Sequence, residues 1–189
     1  MLSFPAALHP GLDPTGERCA YGQHGPVFFL VGSFLPEPDV ARTCTVPVGV
    51  HLYVPLVGAG CSTVEPPPFF GRDEAELRAC VDQLVDQVGP QTLRVDGAAV
   101  PLEGYRVQSP LFSLALPPDN FLQVPPAVTE SVTDTYAVLL APLPVGTHTI
   151  VTEGAYPGGP PMTLTYTIVV AEPAVTPPTQ ASPVASPAA

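Results

Sequence analysis

The sequence predicts a mainly β chain: an antiparallel two-sheet β-sandwich, immunoglobulin-like or jelly-roll-like, with one short α-helix at about 73–88. Three observations predict it. The 28 prolines and 16 glycines among 189 residues argue against long helices, since proline costs about 3 kcal/mol inside one. Apolar residues alternate with polar ones in several short runs bounded by turn residues, the pattern of strands with one buried face. Four cysteines, none in a Cys-x-x-Cys pair, suit a disulfide framework.

The elements follow in chain order. Residues 1–26 read as an irregular lead-in, broken at His9-Pro10, Asp13-Pro14 and Gly25-Pro26. Val27-Phe28-Phe29-Leu30-Val31 is apolar throughout, so it is expected as a strand covered on both faces in the sandwich centre. A short strand is expected over 42–46. In the next, Val50, Leu52, Val54 and Leu56 share one face, with His51 and Tyr53 on the other. Asp73 followed by Glu76 makes a capping-box pattern. Leu77, Val81, Leu84, Val85 and Val88, with Cys80, form the apolar stripe of a helix that Gly89-Pro90 ends. Asp96-Gly97 predicts a two-residue hairpin turn, because both positions of a type I′ turn need positive φ. Residues 105–116 read as a strand bent at Pro110, and 135–140 and 146–152 as two more. In the last strand Met162, Leu164, Tyr166, Ile168 and Val170 alternate with Thr163, Thr165 and Thr167, predicting a core face backed by a threonine ladder open to water.

One domain over 1–170 therefore precedes a tail over 171–189, where Pro, Ala, Ser, Thr and Val dominate. Such a segment buries too little to offset its ordering entropy and reads as a disordered stalk or linker. Net charge is −11, with six arginines and no lysine; nucleic acid requires a basic face that this chain lacks. No apolar run approaches the ~20 residues of a membrane span, so direct membrane insertion is not expected. Residues 1–10 have neither a basic n-region nor a long apolar h-region and do not read as a signal peptide. The even cysteine count nevertheless implies an oxidising, secreted or cell-surface location.

Four cysteines allow three pairings. Cys19–Cys44 with Cys61–Cys80 fits best, because Cys80 lies on the inward helix stripe toward the sheet that Cys61 leaves. Each bridge would contribute about 3 kcal/mol by loop closure.

The run from Asp13 to Leu30, with Thr15-Gly16, Cys19, Gly22-Gln23 and Gly25-Pro26-Val27, resembles the opening of a family of uncharacterised exported bacterial proteins. Arg42-Thr43-Cys44-Thr45-Val46-Pro47, Tyr105-Arg106-Val107-Gln108-Ser109-Pro110 and Pro142-Leu143-Pro144-Val145-Gly146-Thr147-His148-Thr149-Ile150 are similar again. The resemblance spans most of 9–170. It implies a secreted origin and no particular activity.

No residues stand out as catalytic or cofactor-binding. His9, His24, His51 and His148, with Asp13 or Glu17, are the candidates for a metal site, yet their spacing forms no His-x-His or His-x-x-x-His pair. A calcium ion among loop carboxylates is a further candidate. No Gly-x-Ser-x-Gly nucleophile motif occurs. The carboxylates Asp82 and Asp86 are read as a solvated helix face, and Glu130 and Asp134 as flanking a strand start. Tyr21, Tyr53, Tyr105, Tyr136 and Tyr156 could stack on sugar rings, although tyrosine belongs in strands for packing alone. The expectation is a non-catalytic extracellular or cell-envelope module, structural or binding a surface protein or glycan. A secreted hydrolase, or a carbohydrate-active or carbohydrate-binding protein, is the alternative.

Overall fold

In a computed structural model, which describes residues 3–156 and 159–172, two five-stranded sheets pack as a sandwich. The strands are β1 (Val27–Phe29), β2 (Asp39–Pro47), β3 (His51–Ser62), β4 (Thr92–Val95), β5 (Ala98–Ala99), β6 (Arg106–Gln108), β7 (Phe112–Leu116), β8 (Ala127–Leu140), β9 (Gly146–Gly154) and β10 (Met162–Ala171), with helix α1 (Glu74–Val85) between β3 and β4. The first sheet runs β1-β3-β8-β6, with β7 also paired to β8; the second runs β2-β10-β9-β4-β5. The tail expected over 171–189 lies outside the described residues beyond Glu172.

Both sheets are mixed rather than purely antiparallel. β1 pairs parallel to β3, and β2 parallel to β10, while every other pairing is antiparallel. The chain passes from the first sheet to the second and back through β1, β2 and β3, and two such reversals return it in its original direction. This also corrects the place of β1. It is an edge strand of three residues, with Phe28 buried and Phe29 43% exposed. Its unbroken apolar run serves one inward face and one open one.

The main core lies between the sheets, with Leu52, Val54, Leu93, Val138, Ile150, Tyr166 and Ile168 among its buried residues. β3 and β8 are longer than expected, 12 and 14 residues, and run on past the second sheet. Helix α1 covers that overhang through a separate cluster of Cys61, Leu77, Val81 and Val132. Asp73 caps the helix by accepting from Glu76 N–H at 3.0 Å. Leu77, Val81 and Val85 are buried as the stripe requires, whereas Leu84 and Val88 are only half-buried. Gly58 lets β3 approach β8, since a Cβ there would sit 2.4 Å from the Thr135 side chain.

The predicted hairpin is present: Asp96 and Gly97 have φ of 49° and 82°, and β4 pairs with β5. The bend at Pro110 separates β6 from β7, which pair with successive stretches of β8. The threonine ladder of β10 is half-buried rather than open. Both predicted disulfides form, Cys19–Cys44 and Cys61–Cys80.

The lead-in is ordered by what it covers. Two 3-10 turns, Ala6–Leu8 and Pro10–Leu12, precede a loop that shields the edge of β2, where Thr43 N–H donates to Thr15 O at 2.9 Å. Gly16, at φ +96°, permits this approach, because a Cβ would lie 2.4 Å from Thr43 O. Gln23 closes the edge of β1 with its amide: Oε1 accepts from Phe29 N–H at 2.9 Å and Nε2 donates to Phe29 O at 2.8 Å. Unpaired strand edges recruit foreign chains, and both edges are blocked in this way.

Candidate functional site

Among the described residues, no three His, Cys, Asp or Glu side chains converge to hold a metal ion. The six candidate ligands do not come together, and Glu17 and His51 lie exposed. His9 is fully buried, and its Nδ1 accepts from Gly11 N–H at 3.0 Å. The Asp13 carboxylate is also buried and accepts from Thr15 N–H, Thr15 Oγ1 and Arg18 N–H at 2.6–2.9 Å. Burial pushes its pKa up, but those hydrogen bonds outweigh it and hold the group below the usual carboxylate value. His24 contacts Gly22 O, and His51 is exposed at the start of β3. His148 bridges Asp96 (2.7 Å) and Pro144 O (2.9 Å), tying the β4–β5 turn to the entry of β9. The Asp96 carboxylate raises the His148 pKa, with the Pro144 carbonyl adding to it.

The acidic groups fare similarly. Asp134, 2% exposed, receives Nε and Nη2 of Arg106 at 2.7–3.2 Å. The same guanidinium reaches Asp86 and Asp82 on the helix, and Gln108 Nε2 donates to Asp82 at 3.1 Å. Asp82 and Asp86 are thus not merely a solvated face. They are the helix half of a bridge to β6 and β8, and the register demands it: Arg106 lies opposite Tyr136 and Gln108 opposite Asp134, so both point to the helix side. Asp134 and, to a lesser extent, Asp86 raise the Arg106 pKa further.

Sequence reasoning missed one polar centre. Arg42 lies on β2 between Val40 and Cys44, all three pointing inward. It is 3% exposed and has no carboxylate partner among the described residues; its donors reach Asp13 O (2.7 Å), Val31 O (2.7 Å), Gly32 O (3.3 Å), Gly11 O (3.1 Å) and Tyr166 Oη (3.2 Å). The alternation Val40, Arg42, Cys44, Val46 carried the signal, since every second residue of a strand shares a face. Residues from the runs 13–30, 42–47, 105–110 and 142–150 are engaged in the fold: Gly16 and Gln23 at strand edges, Arg42 and Cys44 inside, Arg106 under the helix, His148 at the hairpin.

What remains open is the outer face of the first sheet. Phe29 lies opposite Tyr53 and Tyr53 opposite Leu139 across β1, β3 and β8. The Phe29 and Tyr53 rings are 5.4 Å apart at 47°. Leu139 is 55% exposed, and Val107, opposite Thr135 on the same face, is 52% exposed. Their outward neighbours His51, Pro55, Ala137 and Thr135 include no carboxylate and no arginine, on a chain of net charge −11. Desolvating such a face leaves no charge unpaired. A contact surface is the chemistry it offers.

Compared with family models, with curated proteins and with solved structures, the chain matches none.

Proposed function

We propose that this chain is a non-catalytic extracellular or cell-envelope module that meets a surface partner through the uncharged outer face of its first sheet. The observation that carries the reading is the row of exposed Phe29, half-buried Tyr53 and exposed Leu139, side by side on an otherwise acidic molecule. Two disulfides support an extracellular setting.

Carbohydrate binding is the second reading, favoured by the paired rings of Phe29 and Tyr53, since sugar rings stack on aromatic faces. The test is a binding screen of the full chain against neutral polysaccharides, purified envelope material and extracellular proteins, repeated with Phe29→Ser/Leu139→Ser. Binding that falls at least tenfold in the double variant, with the melting temperature preserved, supports the face. Saccharide hits alone select the second reading. Binding untouched by the double variant would remove this face from consideration.

A further inference from the structure

The segment around His9 is built differently from the rest of the fold. Pro5 bridges to Asn120, and Ala6 N–H donates to Asp119 O at 2.7 Å. Gly11 O accepts from Phe34 N–H at 3.0 Å and from Arg42 Nη2 at 3.1 Å. The His9 ring fills the space between Phe34 and Phe121, both with centroids 5.4 Å away. Because Nδ1 accepts from Gly11 N–H, the imidazole is neutral with its proton on Nε2, and that atom has no partner.

We propose that His9 makes residues 3–12 an acid-opened latch on the sandwich. A second proton would have to enter at Nδ1, which removes the only acceptor of Gly11 N–H and leaves a cation enclosed by aromatic rings. Among the described residues, no neighbouring element offers a counter-charge. From β2 comes the guanidinium of Arg42, already without a carboxylate. The Asp13 carboxylate is turned to Thr15 and Arg18, and Asp119 meets the segment through its backbone carbonyl. Burial, with the positive charge of Arg42 adding to it, lowers the His9 pKa from 6.5 to about 4. The undocked segment therefore binds the proton first. Docking is complete above pH 6.5, weakens as the pH falls, and loses nothing further below about 4. Asp13, whose pKa is lowered from 3.8, would act only below that window. Downstream, Cys19–Cys44 keeps the opened segment tethered, and opening bares the Phe34–Phe121 pair, whose centroids are 4.7 Å apart.

Hydrogen exchange of the full oxidised chain, followed by mass spectrometry and corrected for intrinsic rates, tests this. Between pH 7.5 and 4.5, opening of residues 3–12 should rise by roughly 70-fold, as the two pKa values require, while β10 keeps its protection. His9→Gln retains an acceptor for Gly11 N–H, and His9→Phe retains the ring; neither titrates, so the rise should vanish in both. If neither variant docks at pH 7.5, the wild-type midpoint still decides: a rise centred between pH 4 and 6.5 supports the latch. A flat wild-type profile, simultaneous loss in β10, or a full rise in a docked variant would overturn it.

Discussion

Two parts of the molecule lie outside the sandwich proper, each stapled by one disulfide and each organised around one arginine. The lead-in is held by Cys19–Cys44 and Arg42, the helix by Cys61–Cys80 and Arg106. Arg106 meets three carboxylates, from both the helix and the sheet. Arg42 meets four backbone carbonyls and a phenol. Carbonyls satisfy the donors of a guanidinium without cancelling its charge, so positive potential persists around Arg42. Burial keeps His9 neutral, and the positive potential of Arg42 adds to that effect. At the helix the Arg106 charge is met by carboxylates, and the attachment rests on apolar packing with an ion-pair rim. The lesson is that two attachments with the same residue type and the same staple differ in what disturbs them: protons for the lead-in, lost packing for the helix.

The sharpest way to break this contrast is Arg42→Met. The substitution preserves apolar bulk but strips the charge-assisted hydrogen bonds of Arg42 from Gly11 O, Asp13 O and Val31 O, bonds that contribute about 1.5–3 kcal/mol each, although Gly11 O keeps Phe34 N–H and Val31 O keeps the Tyr166 hydroxyl. A combined loss of about 4 kcal/mol is expected in denaturant unfolding, and a loss under about 1 kcal/mol would show that water takes over the carbonyls. Leu77→Ala is next. Leu77 is fully buried against Val132 and Cys61, so a cost of about 3 kcal/mol is expected for the large-to-small change. The loss should be felt at the helix without altering the exchange of residues 3–12.

The two attachments also differ in how far sequence reveals them. The helix announces itself through the 3.6-residue recurrence of Leu77, Val81 and Val85 and through the cap at Asp73, both local signals. The lead-in has no period. Its order comes from backbone groups meeting side chains far along the chain, such as Gly11 O with Arg42, and no local pattern encodes such partners. The long strands behave likewise. β10 reads cleanly because one face is apolar along its whole length, but the first half of β8, Thr129, Glu130 and Ser131, alternates nothing visible and is a strand because β7 and β3 pair with it. The disulfides were legible because Cys80 sits on the helix stripe. The parallel pairings were not, since strand direction depends on which sheet the chain enters. For the candidate face, Tyr53 and Phe29 were readable as strand residues, yet their alignment with Leu139 is a matter of register alone.

Two smaller effects sharpen the comparison on the charged side. Asp134→Ala removes the one buried carboxylate of the Arg106 bridge, and about 2 kcal/mol should be lost; Arg106 retains Asp82 and Asp86, so the helix should stay docked by hydrogen exchange. His148 supplies the opposite pH sign to His9. Its pKa is raised by Asp96, so the stability it contributes is full below pH 6.5 and is lost as the pH rises through the raised value. The pair is largely solvent-screened, and a fall of only about a degree or two in Tm between pH 6 and 9 is expected, disappearing in His148→Gln. A fall that persists in that variant would assign the effect elsewhere.

Asp82→Ala should be the mildest change, and it tests whether the ion-pair rim holds the helix or merely decorates it. Asp82 meets Arg106 at 3.4 Å with its side chain 56% exposed, and Gln108 at 3.1 Å. An exposed pair at that separation gains little Coulomb energy and loses side-chain freedom in forming. Arg106 keeps its bonds to Asp134 and Asp86 when Asp82 is gone, so no donor is stranded in a dry site. The expected cost is therefore no more than about 0.5 kcal/mol, and it should shrink further in 0.5 M salt, where the Debye length falls to about 4 Å. Set against Asp134→Ala, the same guanidinium would then show two strengths of bond according to burial. If Asp82→Ala instead cost as much as Leu77→Ala, the helix would be held by its charges after all, and the division between a proton-sensitive lead-in and a packing-dependent helix would collapse.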